Sequence, residues 1–257
     1  MISLESITSS SVWNPQKIIA YGVQGLGKTT FGCTFEKPIL LRTEDGAAAM
    51  DVPTFPMART YGDIIEMIQA LHGDHQFKTV VLDSLDWLEP LVWAQTCARL
   101  GITSIEGVGY GKGYAEADSE WATLMGGFDS LRYNRGMTIV CIAHSEIKTF
   151  TPPDSPPYDR YQIKLHKRAW AKWQEWSDMT LFLNFEKRIV KNKDQVRAEG
   201  SGQRVIYTEE RPSMVAKNRW NLPFQIDIGN DRTWNAFHAA LADATNGKYI
   251  NPNGEKA

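Results

Sequence analysis

A length of 257 residues, 42% of them hydrophobic, is enough to bury one substantial core, so we expect a single α/β domain over residues 1–257. The formal net charge of −2 excludes a global positive field that would draw the whole molecule to nucleic acid or to an anionic membrane, so any contact with a polyanion must be local. No stretch reaches the roughly 20 apolar residues that span a bilayer, the N-terminus lacks a signal-peptide pattern, and the three dispersed cysteines predict free thiols, so we expect a soluble protein of a reducing cytoplasm.

The first part of the chain alternates predicted strands with predicted helices. Residues 16–21 form a β-rich run that ends at a glycine, and residues 38–43 form the next strand. Apolar residues then recur at helical spacing over 64–71. Residues 79–83 are a continuous apolar run that ends in a carboxylate, and a helix is expected over 86–99. This alternation predicts a mainly parallel, twisted sheet flanked by helices.

Two segments in the middle of the chain are predicted to be loops. Residues 101–113 have little periodicity and a glycine at every second position from 107 onward, so we interpret them as a mobile loop. Residues 137–143 form another buried strand, which delivers His144 at its carboxyl end. The following residues 149–161 hold four prolines and two tyrosines, which predicts an irregular, functional loop.

The last part of the chain is predicted to extend this core. The expected elements are a basic amphipathic segment at 164–176, a strand at 179–185, a β-hairpin extension made by 188–196 and 204–208 around a Gly-Ser-Gly sequence, a short strand at 213–216, a helix at 234–244 and a frayed tail at 251–257. The three tryptophans at 170, 173 and 176 repeat at helical spacing, which favours core or subunit packing over base stacking.

A phosphate-binding motif follows the first predicted strand. The sequence GVQGLGKTT at 22–30 matches G-x-x-x-x-G-K-[ST] at a strand-to-helix turn. Its glycines let backbone N–H groups surround a phosphate, its lysine supplies positive charge to the β- and γ-phosphates, and its threonine can coordinate Mg²⁺. A glycine-rich turn without function is the alternative, but the strand context favours an ATP and Mg²⁺ site. The predicted nucleotide-binding residues are Gly22, Gln24, Gly25, Leu26, Gly27, Lys28, Thr29 and Thr30.

Polar side chains also follow three other predicted strands. Asp83 is expected to hold Mg²⁺ together with Thr29, although it could instead cap the helix that follows. Glu44 is our candidate for activating the attacking water, with Asp45 as the second choice and a plain turn carboxylate as the alternative. His144 should reach the edge of the sheet where it could sense the γ-phosphate, although a lone histidine is more often structural.

The order of these motifs resembles the core of RecA recombinase over about residues 16–224. LRTE at 41–44 is similar to the strand with the catalytic glutamate of that family, and VVLDS at 80–84 is similar to its Walker B strand. VAKNRWNLPF at 215–224 resembles the RecA segment whose two basic residues reach the ATP of the neighbouring subunit. His144 takes the place of the γ-phosphate sensor, which is usually glutamine in RecA itself. The resemblance implies a RecA-like P-loop NTPase core, a C-terminal helix and tail over 225–257, and the catalytic residues Glu44, Lys28, His144, Lys217 and Arg219.

The resemblance implies a core-only version of RecA, which we expect to lack the N-terminal polymerisation segment and the C-terminal domain. The phrases YQIKLHK at 161–167 and EWSD at 175–178 look like the phage-encoded RecA-like ATPases of single-strand annealing and recombination. The resemblance implies an ATPase that binds single-stranded DNA, forms a ring or filament of identical subunits in a bacterial host cytoplasm, and has a single-stranded-DNA-binding protein as a further partner.

In RecA-like proteins two loops hold DNA, and here they correspond to residues 101–113 and 145–168. The second loop carries cations that could track phosphates and aromatic rings that could stack on bases. The alternative is a solvated loop whose rings fold back onto the core. The predicted DNA-binding residues are Lys148, Phe150, Tyr158, Arg160, Tyr161, Lys164, Lys167 and Arg168.

Two other functions remain open from the sequence. A P-loop kinase acting on a small metabolite or nucleotide would use 145–168 as a lid, with Arg160 and Arg168 as lid arginines. A nucleotide-dependent scaffold would only recruit replication proteins.

Overall fold

The structure, a computed structural model, describes residues 14–46, 50–192, 195–230 and 232–252, with side chains described outside residues 187–199. Its strands are β1 (Lys17–Gly22), β2 (Pro38–Arg42), β3 (Thr79–Asp83), β4 (Thr138–Phe150), β5 (Tyr158–Ile163), β6 (Met179–Asn192), β7 (Gln195–Tyr207) and β8 (Gln225–Gly229). Its helices are α1 (Lys28–Cys33), α2 (Tyr61–Ala70), α3 (Leu85–Leu100), α4 (Lys112–Glu116), α5 (Asp118–Arg135), α6 (Lys167–Trp176) and α7 (Asn235–Ala244).

The strands form one sheet with parallel strands at its centre. Within the described residues this sheet has eight strands, ordered β2-β3-β4-β1-β6-β7-β8, with β5 paired to β4. The strands β1 to β4 and β6 run parallel, whereas β5, β7 and β8 pair antiparallel with their neighbours. The predicted α/β fold, a mainly parallel sheet flanked by helices, is confirmed. Because the parallel strands point the same way, the segments after β1, β2 and β3 meet at one edge.

Apolar side chains pack on both faces of the sheet. On one face, α2, α3, α5 and α6 cover a core that includes Ile19, Leu82 and Trp121. On the other face, α1 and α7 cover a core that includes Phe31 and Val81. The strands β1 and β3 are buried at every position, as expected of parallel strands with helices on both sides.

The tryptophans of α6 pack into the first of these cores. Trp173 is fully buried, and its ring lies 5.7 Å from that of Trp121 and 5.1 Å from that of Trp176. Trp170 is buried as well, and Trp176 packs against the same cluster while partly exposed. Their shared helical face therefore serves core packing, one of the two roles that the spacing favours.

The predicted irregular loop at 149–161 is confirmed for residues 151–157 and wrong at both ends, which belong to strands. The strand β4 continues past His144 to Phe150, and β5 returns antiparallel to it from Tyr158. The four prolines are confined to the turn between the strands, where no ladder hydrogen bond is lost. Beyond Ala143 the strand pattern is polar, because this hairpin projects from the sheet and its residues are mostly half-buried or exposed.

The C-terminal strands also differ from their predicted bounds. The hairpin extension exists, but β6 and β7 are joined at 193–194, outside the described residues, and the Gly-Ser-Gly sequence at 200–202 lies within β7. Residues 213–216 make isolated bridges instead of a strand. The strand β8 was not predicted, since its two buried isoleucines are too few to establish a period. The helix at 234–244 is confirmed as α7, whereas residues 253–257 of the predicted tail lie outside the described residues.

Other expectations concern segments outside the sheet. Residues 101–111 form turns that lead into α4, and their mobility stays a prediction. All three cysteines are free thiols, as predicted. None of the described helices combines the length and the apolar character needed to cross a bilayer.

Candidate nucleotide site

The turn between β1 and α1 has a backbone that requires glycine. Gly25 and Gly27 have φ values of 73° and 94°, in the left-handed region that side chains rarely adopt. At Gly22 an added Cβ would lie 2.1 Å from the carbonyl oxygen of Leu183 on β6. The glycines therefore shape this loop, and a backbone of this kind can direct successive N–H groups at an anion.

Lys28 is the first residue of α1, and its side chain folds over the loop. Its Nζ donates a hydrogen bond to the carbonyl oxygen of Val23 at 2.9 Å, and the residue is only 6% exposed. Burial lowers the pKa of Lys28, while the nearby carboxylates of Asp83, Asp86 and Glu44 oppose this effect. A desolvated ammonium over a loop of backbone donors fits a bound polyphosphate.

Thr29 and Asp83 meet at the end of β3. The Thr29 hydroxyl donates to Asp83 Oδ2 at 2.7 Å, although the two residues are 54 positions apart. Burial raises the pKa of Asp83, whereas the hydrogen bond from Thr29 and the charge of Lys28 lower it. A hydroxyl and a carboxylate are hard oxygen donors, and Mg²⁺ takes one or two such protein ligands alongside phosphates and water. This pair fits the predicted magnesium site.

Glu44 lies beside this pair because β2 and β3 are fastened together at their ends. The Thr43 hydroxyl donates to the carbonyl oxygen of Ser84 at 2.8 Å and accepts from the Ser84 N–H at 2.8 Å. Burial and the charge of Asp83 raise the pKa of Glu44, and the charge of His144 lowers it. Asp45 is exposed and lies 3.9 Å from Arg42. Of the two predicted bases, Glu44 is the one that shares the electrostatic environment of Asp83.

His144 reaches the same edge through β4. Its register partner on β1 is Gly22, so it lies beside the start of the phosphate loop. Its backbone N–H donates to Asp86 Oδ1 at 3.0 Å, and its Nδ1 lies 2.9 Å from Asp86 Oδ2. Sequence reasoning missed Asp86, because an acidic residue in the first turn of a helix is ordinary. The only available signal was the spacing of Asp86 three residues after Asp83.

One protein-family model matches most of the chain. The family described as AAA domain (AAA_24) matches residues 14–220, which includes the phosphate loop, Asp83 and His144. The chain belongs to this family. It is a P-loop NTPase.

Other comparisons with this AAA-domain protein are distant. No curated protein matches it. Solved structures that match include one titled as the crystal structure of the RadB recombinase, with 14% sequence identity, a TM-score of 0.48, and coverage of 86% of this chain and 90% of that one.

The AAA-domain chain does not bring Lys217 and Arg219 to its own phosphate loop. Lys217 pairs with Thr180 near the start of β6, whereas Gly22 lies beside Leu183, three residues further along that strand and hence about 10 Å away. The Lys217 ammonium donates to the carbonyl oxygen of Gln174, and Arg219 lies 3.3 Å from Asp178. Arg219 has a side chain that is 60% exposed. Their action on a neighbouring subunit stays a prediction.

The predicted DNA-binding residues lie on or next to the β4–β5 hairpin. Four of them are exposed cations, and the others are aromatic rings and an arginine that pack against neighbouring side chains. Lys164, Lys167 and Arg168 are exposed near its second strand, and Lys148 is exposed on its first. Two of these cations have acidic partners, since Lys148 lies 2.7 Å from Glu146 and Arg168 lies 2.8 Å from Asp118. The lysines at 164 and 167 are the exposed cations at the base of the hairpin.

The aromatic part of that prediction needs correction. The Tyr161 ring stacks on Phe182 at 5.0 Å, so its face is turned to the protein and not toward a base. Arg160 lies over the Phe150 ring at 3.8 Å and pairs with Glu210 at 3.1 Å. Phe150 in turn meets Tyr158 edge-to-face at 5.7 Å. Phe150, Tyr158 and Arg160 therefore contact one another across the hairpin.

One exposed aromatic side chain near the hairpin was missed. Trp87, in the first turn of α3, is 54% exposed. Together with Lys148 and Lys164 it lines a cleft of about 430 Å³. Its signal in the sequence was weak, because a tryptophan in a helix is usually buried.

Proposed function

We propose that this AAA-domain protein is a RecA-like, ATP-dependent single-stranded-DNA-binding protein that promotes DNA annealing or recombination. It hydrolyses ATP with Mg²⁺ at the contacts between identical subunits, with residues 1–257 acting as one ATPase domain. The observation that carries the proposal is that a single strand, β4, lies beside the phosphate loop at His144 and continues into the cationic hairpin. A ligand on the hairpin is thereby connected to the nucleotide through one continuous backbone.

At the nucleotide, each residue has a separate task. The backbone from Gly22 to Thr30 binds the phosphates, and Lys28 neutralises their charge. Thr29 and Asp83 would hold Mg²⁺, which supplies charge stabilisation at the phosphates. Glu44 orients the attacking water and accepts its proton. The guanidinium of Arg219, with Lys217, enters the site of the next subunit and stabilises the charge that develops on the transferred phosphoryl group.

At the hairpin, single-stranded DNA contacts cations and an aromatic face. Lys148, Lys164, Lys167 and Arg168 follow the phosphates, and Trp87 offers a surface for base stacking. The phrases YQIKLHK and EWSD support the phage-encoded annealing type, with a single-stranded-DNA-binding protein as a further partner. The kinase alternative is less well supported, because Arg160 and Arg168 are paired with Glu210 and Asp118 instead of extending over the phosphate loop.

The test is a comparison of two double variants. Lys164→Gln with Lys167→Gln removes charge at the hairpin, and Lys37→Gln with Lys78→Gln removes the same charge from exposed residues that precede β2 and β3 at the opposite edge of the sheet. Binding of an oligonucleotide is measured by mobility shift against salt, and ATP hydrolysis is measured with and without the oligonucleotide. We expect the slope of log binding constant against log salt concentration to fall in magnitude by about 0.7 for each phosphate contact that the hairpin variant loses. The hairpin variant should also lose the stimulation of ATP hydrolysis by DNA. The control variant should keep the wild-type slope and the stimulation. Equal behaviour of the two variants, or no stimulation of the wild type by DNA, would contradict the proposal.

A further inference from the structure

Asp86 makes two hydrogen bonds to a single residue of the nucleotide site. Its two carboxylate oxygens contact the backbone N–H and the ring nitrogen Nδ1 of His144, at 3.0 and 2.9 Å. The Asp86 side chain is 4% exposed and the His144 side chain 17%. Because one carboxylate accepts hydrogen bonds from both the backbone and the ring of His144, it restrains the position of the His144 backbone and the rotation of the imidazole together.

The protonation of this pair follows from the donors around it. Burial alone would raise the pKa of Asp86, but the hydrogen bonds and charge of His144 lower it below its ordinary value. An ionised carboxylate can only accept hydrogen bonds, so Nδ1 of His144 bears a proton whether the ring is neutral or charged. The other nitrogen, Nε2, is left for a second partner. The charge of His144 acts on both Asp83 and Glu44, so the ring belongs to the same site.

We propose that Asp86 is a positioning residue for ATP hydrolysis, which holds His144 so that Nε2 faces the phosphate end of the nucleotide, where it accepts a hydrogen bond from water when the ring is neutral and donates one to a phosphate oxygen when the ring is protonated. This inference rests on the proposed function. Asp83 ends β3 and Asp86 lies in the first turn of α3, so the residue that would hold Mg²⁺ and the residue that holds His144 are three positions apart. One short, buried piece of backbone therefore sets how far the Asp83 carboxylate lies from the holder of His144.

A purely structural role for Asp86 is the competing explanation, because an acidic residue in the first turn stabilises a helix through the dipole. Glu89 provides the matched control. It lies one turn later on the same helix, is buried, and its carboxylate also accepts a backbone hydrogen bond from a histidine, the N–H of His166 at 3.0 Å. It makes no contact with His144 among those described, so a loss of helix stability alone should affect both variants.

The experiment measures steady-state ATP hydrolysis without DNA for Asp86→Asn, Glu89→Gln, His144→Ala and the double variant Asp86→Asn with His144→Ala. If Asp86 acts through His144, Asp86→Asn lowers kcat by about tenfold or more at little-changed KM, and the double variant is no slower than His144→Ala alone. Glu89→Gln keeps the wild-type kcat. Wild-type turnover of Asp86→Asn, or losses that multiply in the double variant, would overturn the proposal.

A measurement on the wild-type protein does not depend on how the variants fold. Nitrogen-15 spectra of labelled histidines, assigned with His144→Gln, report which ring nitrogen bears the proton when the ring is neutral. We expect Nδ1 protonated and Nε2 bare, and the opposite tautomer would overturn the proposal. Lys28→Ala distinguishes a failure of the role of Asp86 from a failure of the proposed ATPase function. If it abolishes hydrolysis while Asp86→Asn does not change it, the proposed ATPase stands and the role of Asp86 falls, whereas unchanged hydrolysis in Lys28→Ala removes the ATPase assignment itself.

Discussion

At the scale of single residues, the nucleotide site depends on side chains that the fold gathers from distant positions. Lys28 is buried over the loop, and Thr29 contacts Asp83 directly. Lys28→Ala removes the only lysine of the phosphate loop, and we expect ATP hydrolysis to fall by about a hundredfold or more, since charge stabilisation is a large part of phosphoryl transfer. Steady-state phosphate release with excess Mg²⁺ measures the effect. Retention of more than about a tenth of the wild-type rate would contradict the role of Lys28.

Glu44 and Asp45 can be separated as candidate bases, because they are adjacent and differ in environment. Glu44→Gln should lower kcat by about a hundredfold while ATP binding persists, as the loss of a group that orients and deprotonates water predicts. Asp45→Asn, at an exposed position, should hydrolyse ATP like the wild type. Single-turnover hydrolysis and nucleotide titration measure the two effects. The reverse ranking would assign the role to Asp45.

The sequence predicts those site residues that belong to a motif of fixed spacing or directly follow a recognisable strand. The phosphate loop and Asp83 were identified from the motif and from the apolar strand before it. Asp86 was not, because its role depends on contact with a residue 58 positions away. Tyr161 was assigned to DNA because an aromatic ring in a cationic segment resembles a stacking platform, and its contact with Phe182 across the sheet has no local signal.

At the scale of elements, the close approach of β6 leaves no room for a side chain at Gly22, the last residue of β1. Gly22→Ala would place a methyl group against the backbone of Leu183 between two paired strands, so we expect unfolding free energy to fall by about 3 kcal/mol or more. Gly126→Ala is the matched control, because this exposed glycine in α5 has nothing within 4 Å of an added Cβ. It should raise stability by up to about 1 kcal/mol through helix propensity. Denaturant unfolding of both variants tests the pair, and equal stabilities would contradict the close approach of β6.

The contact between α7 and α1 predicts a pH-dependent stability. His238 is fully buried, its Nε2 lies 2.8 Å from the Thr34 hydroxyl and its Nδ1 lies 2.6 Å from the Tyr249 hydroxyl. Burial lowers the pKa of His238 to about 4, from 6.5. Between these values the unfolded chain binds more protons than the folded one, so stability falls as pH falls through this window.

The size of this effect follows from the same shift. Relative to His238→Gln, the wild type should lose about 3 kcal/mol of unfolding free energy between pH 6.5 and pH 4. Because other titrating groups are common to both proteins, their contribution cancels in the difference. Denaturant unfolding at several pH values measures it. A difference that stays constant with pH would contradict the burial of a neutral His238.

The sequence predicts the bounds of a strand or helix well where a single hydrophobic pattern covers the whole element. The run at 79–83 coincides with β3, because a strand covered on both faces is apolar at each position. The distal half of β4 was missed because it leaves the core, and its backbone pairing with β5 does not require apolar side chains. The turn of the β6–β7 hairpin was placed wrongly for another reason, because the glycines at 200 and 202 lie within β7 but resemble a turn in the sequence.

At the scale of the whole molecule, the basic segment at 217–219 lies away from the phosphate loop of its own chain. Arg219 is exposed and lies 3.3 Å from Asp178, and the nearby Lys217 pairs with Thr180, three residues along β6 from the level of the phosphate loop. A contact in which the basic face of one subunit meets the nucleotide of the next is head-to-tail, and such contacts close into rings or continue as filaments. Assembly and hydrolysis would then be coupled, since each site is completed by a second copy of the chain.

The most direct test of this coupling mixes two variants that are each inactive alone. Lys28→Ala keeps Arg219 but has a defective phosphate loop, and Arg219→Ala has the opposite defect. In an equal mixture about a quarter of the head-to-tail contacts combine an intact loop with an intact arginine, so we predict that hydrolysis recovers to about a quarter of the wild-type rate. Hydrolysis in the mixture that never exceeds that of the separate variants, at concentrations where the wild type is active, would contradict ATP hydrolysis between subunits.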